Sequence, residues 1–169
     1  MEKKGWCAMR VLGIDPGTGI CGFGVVEVDR SAKQVLKVVD FGVITTPANT
    51  PIENRLMEIY DSLHEIIRET KPDIMSVERL FFTKNITTGI AVAEARGVIL
   101  LAGRQNRLPI FEYTPNEIKK TMTGYGSAKK GQMQEMVKMR LGLKTAPKPD
   151  DAADALAAAI THFLMQRAI

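Results

Sequence analysis

The chain has 169 residues, enough for one compact domain with a substantial core and tight for two. Hydrophobic residues make up 45% and charged residues 25%, an ordinary globular mix, and no apolar run is long enough to span a membrane. Lys and Arg number 23 against 19 Asp and Glu, a net charge of +4 that permits a polyanionic partner without requiring one.

The first segment, Met1 to Gly5, is charged and leads into no apolar signal segment, so export is not expected. Residues 1–8 read as an N-terminal extension or tag and residues 9–169 as a single domain. Met9 to Asp15 is a short apolar run that ends in a Pro-Gly turn, the pattern of a buried strand. Gly22 to Val28 and Gln34 to Thr45 add two β-rich stretches, and three strands so close in sequence should pair as an antiparallel meander. Leu56, Ile59, Leu63, Ile66 and Ile67 recur at helical spacing until Lys71-Pro72 stops the helix. Asp73 to Glu78 is strand-like, Leu80 to Thr83 a loop, and Thr87 to Asn106 a helix rich in small residues. Leu108 to Tyr113 supplies a last strand, and Thr114-Pro115 opens a short helix. Ser127 is expected to cap a helix running to about Arg140, and Asp151 to Arg167 forms a final Ala-rich helix. The order βββ-α-β-α-β-α-α-α predicts one α/β domain with a mixed sheet. Cys7 and Cys21 form neither a disulfide framework nor a zinc pattern and are expected to be reduced thiols of a cytoplasmic protein.

Gly17 to Gly22 fits the spacing G-x-G-x-x-G after a strand, but a dinucleotide fingerprint must open a helix and this one runs into another strand. The glycines are better read as a hairpin, with room for a phosphate to approach the backbone. Gly13 to Thr18 is also similar to the first phosphate loop of actin-like and sugar-kinase ATPases. Those need two lobes, and both the length and a second loop are missing.

Acidic residues carry the chemistry. Asp15 and Glu78 each end a strand whose neighbours are apolar, where an unpaired charge is expensive. Asp151 and Asp154 stand at i and i+3 on one helix face. Hard oxygen ligands from separate elements suit Mg²⁺. Each acid also has a plainer use: Asp15 in its turn, Glu78 as a strand end, and Asp150, Asp151 and Asp154 as helix N-terminal charges. Spacing alone leaves both uses open.

Leu12 to Gly17, Val77 to Phe81, Glu94 to Gly97 and Asp151 to Leu156 together resemble the bacterial RuvC Holliday junction resolvases, in order and over nearly the whole chain. The resemblance implies an RNase H-like fold: a mixed five-stranded sheet, three antiparallel strands then two parallel, flanked by helices. It also implies a homodimer that nicks two strands of like polarity across four-way junction DNA, with RuvA and RuvB as branch-migration partners. Mg²⁺, or Mn²⁺ in its place, is the implied cofactor, two ions per active site. Carried over by position, the metal-binding acids are Asp15, Glu78, Asp151 and Asp154. Some relatives carry a His at the Asp151 position, and Asp150 has no counterpart and reads as a helix cap or solvated neighbour.

Phe81 matches an aromatic expected to stack on bases at the junction centre, where each stacked base contributes about 1–3 kcal/mol. Phe82 is expected partly inside. Lys119 and Lys130 match basic positions near the acids, and Lys84 and Arg96 are weaker candidates for backbone contacts. The small-residue helix suits close dimer packing or the core equally, and His64 and His162 call for no special role. Three other functions fit parts of the same pattern: a nuclease of RNA–DNA hybrids, a non-catalytic junction-binding module, and an ATPase.

Overall fold

Two-residue periodicity along the strands sorts the side chains into two layers. The computed structural model describes residues 8–29, 31, 35–80 and 86–166. In it β1 (Met9–Asp15), β2 (Ile20–Val28) and β3 (Leu36–Thr45) form the expected antiparallel meander. β4 (Ile74–Glu78) and β5 (Ile110–Tyr113) add in parallel on the other side of β1, giving the order β3-β2-β1-β4-β5. With a strand on either side, β1 buries Val11, Leu12 and Ile14 completely, which accounts for its nearly continuous apolar run.

Leu12, Ile14, Cys21, Val25, Met75 and Val77 project to one face. There they meet Ile59, Leu63 and Ile67 of α1 (Ile52–Thr70) and Ala95, Ile99 and Ala102 of α2 (Ile86–Gln105). Val11, Val26 and Val28 project to the opposite face. Their partners lie on α3 (Pro115–Thr123), α4 (Lys130–Leu141) and α5 (Asp150–Gln166). No helix is long and apolar enough to cross a membrane among the described residues.

Local signals were mostly reliable, with two differences at helix starts. Thr114 and Glu117 form the capping box that opens α3, with Pro115 in its first turn. Ser127 does not cap α4. The helix begins at Lys130, and the Gln132 side chain turns back to accept the Lys129 N–H at 2.8 Å. Asp150 opens α5 but does not serve as its cap, because its carboxylate is taken by Gln134 and Lys130 of α4.

The expected hairpin joins β1 to β2 through residues 16–19, and the glycines within the strands meet a further demand. α5 lies against β1 and β2 so closely that a Cβ on Gly13 would collide with the Ala155 carbonyl, and one on Gly22 with the Asp151 carbonyl. A Cβ on Gly24 would meet the Leu156 side chain. Gly22 and Gly24 are therefore a floor for a helix, not for a phosphate. Gly17 and Gly19 lie in the β1–β2 turn as expected, and a Cβ on Gly17 would strike the Ile20 carbonyl.

Candidate active site

Register places the strand-end acids side by side. β1 and β4 pair in parallel with Gly13 opposite Ser76 and Ile14 opposite Val77, so the next step sets Asp15 beside Glu78. Both acids point toward α5. Asp15 shares a strand face with Gly13, which abuts Ala155, and Glu78 shares one with Ser76, whose hydroxyl donates to the Ala158 carbonyl at 2.7 Å. From the opposite side α5 brings Asp151 and Asp154. Asp151 stands directly over Gly22, the cross-strand partner of Asp15. The alanines between and beyond these acids, buried from Ala152 to Ala159, are small enough to let the helix seat this deeply.

Electrostatics record the result. Burial, then repulsion from Glu78, Asp154 and Asp151, pushes the Asp15 carboxyl from 3.8 up to about 8. Burial and Asp154 push Glu78 from 4.5 up to about 7. Asp154 is also raised, first by burial and then by Asp151 and Asp150, with Lys130 and Lys119 opposing. The four acids thus form one electrostatic cluster, although no three of them stand in a ready-made ion cage among the described residues. The donor set fits a hard divalent cation: all oxygen, from three elements, with more negative charge than the two lysines offset.

A pocket of about 250 Å³ opens at the cluster, lined by Glu78, Asp154, Lys119 and Lys130 with an apolar wall that includes Ile118 and Met133. Lys119 and Lys130, expected from sequence to lie near the acids, are therefore there. Lys130 is also held by Asp150, with Nζ 3.0 Å from the carboxylate, and Gln134 donates to the other oxygen at 2.6 Å. Arg96 lies elsewhere: its guanidinium pairs with Glu112 and joins α2 to β5. Phe81, Phe82 and Lys84 lie outside the described residues, as does the expected extension except for Ala8. Two features escaped the sequence. Ser76 is an ordinary serine in a strand, and His162 is buried on α5 with Nδ1 2.9 Å from the Tyr113 hydroxyl. The only sequence signal for either was a polar residue inside an apolar run.

The sheet order, with acids at the ends of the adjacent inner strands β1 and β4, defines an RNase H-like fold. At the level of fold alone it matches the yeast mitochondrial Holliday junction resolvase Ydc2, with a TM-score of 0.66 at 15% identity over 94% of this chain and 81% of that one. A nearer match is the Thermus thermophilus RuvC structure solved with a Holliday junction substrate. Its TM-score is 0.88 at 34% identity, over 95% of this chain and 96% of that one. The crossover junction endodeoxyribonuclease RuvC of Chloroflexus aggregans is 54% identical over 154 residues, 91% of this chain and 92% of the relative. A family model described as crossover junction endodeoxyribonuclease RuvC matches residues 11–162. The chain belongs to the RuvC family.

Proposed function

We propose that this chain is a Holliday junction endonuclease that makes paired nicks in strands of like polarity, with Asp15, Glu78, Asp151 and Asp154 as its cutting centre. The observation that carries this is the convergence of two strand-end acids and two helix acids on one half-buried cluster beside a pocket with two lysines. Family membership supplies the substrate class.

Mg²⁺, or Mn²⁺, held by the four acids would supply the positive charge that keeps them ionised and the Lewis acidity for attack of water and departure of the 3′ oxygen. Two ions per site suit a set of four carboxylates. The chain's own part is positional. The close seating of α5 on Gly13 and Gly22 fixes Asp151 and Asp154 against Asp15 and Glu78. Lys119 and Lys130 border the same pocket, where an ammonium group can hold a phosphate oxygen and offset charge that grows as phosphorus becomes five-coordinate. Water adds to phosphorus, the bond to the 3′ oxygen breaks, and the products carry 5′-phosphate and 3′-hydroxyl ends.

Phe81, three residues past Glu78, is assigned to stacking on junction bases, with Lys84 as a backbone contact. Arg96 is the weakest of these assignments because Glu112 already occupies it. A four-way junction has near-twofold symmetry, so a C₂ homodimer is the natural assembly. α2 offers a surface for it, with Ile90 and Leu101 exposed by 55% and 52%. RuvA and RuvB are the proposed partners and the cytoplasm the proposed compartment.

The test compares cleavage, in Mg²⁺, of a four-way junction, the matching linear duplex and an RNA–DNA hybrid. Symmetric nicks in the junction with little cutting of the others are expected. Preferential cutting of the hybrid would overturn the assignment.

A further inference from the structure

The turn that leaves Asp15 is wired to a residue with no part in the site so far. Thr46 donates its N–H to the Gly19 carbonyl at 3.0 Å and its hydroxyl to the Thr18 carbonyl at 2.6 Å. The same hydroxyl accepts from Nε of Arg55, on the first turns of α1, at 2.9 Å. Arg55 is thus fixed at one nitrogen to a buried threonine that itself clasps the β1–β2 turn. Its guanidinium reaches over a bare glycine: a Cβ on Gly19 would come within 3.4 Å of Nη2. No carboxylate pairs with Arg55 among the described residues. A half-buried guanidinium held at Nε, its two terminal nitrogens unbonded among the described residues, presents the planar fork that matches a phosphate.

We propose that Arg55 is a DNA-phosphate contact, gripping the backbone at the β1–β2 turn beside the phosphate presented to the four acids. Gly19 lets the strand approach, because no side chain stands between the turn and the fork. Thr46 is the positioning residue that aims it. The inference rests on the junction-nuclease assignment above, since the phosphate belongs to that substrate.

Counterion release gives a readout that a structural role would not move. In an Asp15→Asn background, junction affinity is measured against salt for the Arg55-intact, Arg55→Lys and Arg55→Gln proteins. The logarithm of affinity falls against the logarithm of salt by about 0.9 per phosphate neutralised. Arg55→Gln is expected to flatten that slope by about 0.9 for each subunit engaged and to weaken binding several-fold at low salt. Arg55→Lys should keep the slope and lose affinity, because an ammonium keeps the charge without the fork. An unchanged slope for Arg55→Gln overturns the proposal even if its Tm falls, and so does a slope as flat for Lys as for Gln. Failure of the Arg55-intact protein to prefer the junction over duplex would instead remove the assignment on which the proposal rests.

Discussion

At the scale of single residues, the acids trade stability for chemistry. Asp15 is held as a partly protonated carboxyl near neutral pH by burial and three like charges. Asp15→Asn should therefore abolish cutting, leave junction binding largely intact, and raise the metal-free Tm at pH 8. Relief of even about 1–2 kcal/mol corresponds to about 2–8 °C in a chain of this size, and a lower Tm on thermal denaturation would contradict the account. The Tyr113–His162 bond works in the opposite sense. His162 is 1% exposed, so Tyr113→Phe strands a buried ring nitrogen and should cost about 1–3 kcal/mol in denaturant unfolding. Asp15 and Glu78 were legible in the sequence because each is the first charge after an apolar run. Tyr113 and His162 were not, because a pairing across 49 residues exists only once β5 and α5 are packed.

Elements were easier to read than their purposes. Strand and helix periods, the Thr114-Pro115 start and the Lys71-Pro72 stop all mark real boundaries, with Lys71 in the left-handed conformation that ends α1. Ser127 failed because a good capping residue is only available to a helix, and the Gln132 side chain fixed the start two residues later. The strand glycines announced a close approach without naming what approaches. α5 does, and Gly22→Ala tests it directly. The added methyl would meet the Asp151 carbonyl, so the helix must lift at the end that carries the acids. A loss of about 1–3 kcal/mol is expected from overpacking, with divalent-cation binding by calorimetry weakened far more than by Thr114→Ala, a capping change worth about 1 kcal/mol. Equal cation binding in the two variants would show that α5 does not set the site.

For the whole molecule, the raised acids predict an unusual pH profile. A carboxyl whose folded pKa is above its unfolded value binds protons better in the native state, so stability is lost as pH rises between the two values. With Asp15 raised from 3.8 to about 8 and Glu78 from 4.5 to about 7, the metal-free protein should lose thermal stability from about pH 4 toward pH 8. Divalent cations should restore it, most strongly at the alkaline end, where they need not displace protons. A metal-free Tm that climbs through this range would count against the cluster. The family match named the branched-DNA substrate, whereas residue chemistry alone reached only a cation site at the ends of two strands. The most direct test of that site is therefore anomalous diffraction from crystals soaked in Mn²⁺. Manganese peaks are expected among Asp15, Glu78, Asp151 and Asp154 and lost in Asp15→Asn; manganese bound only elsewhere, in a protein that still cuts junctions, would contradict the account.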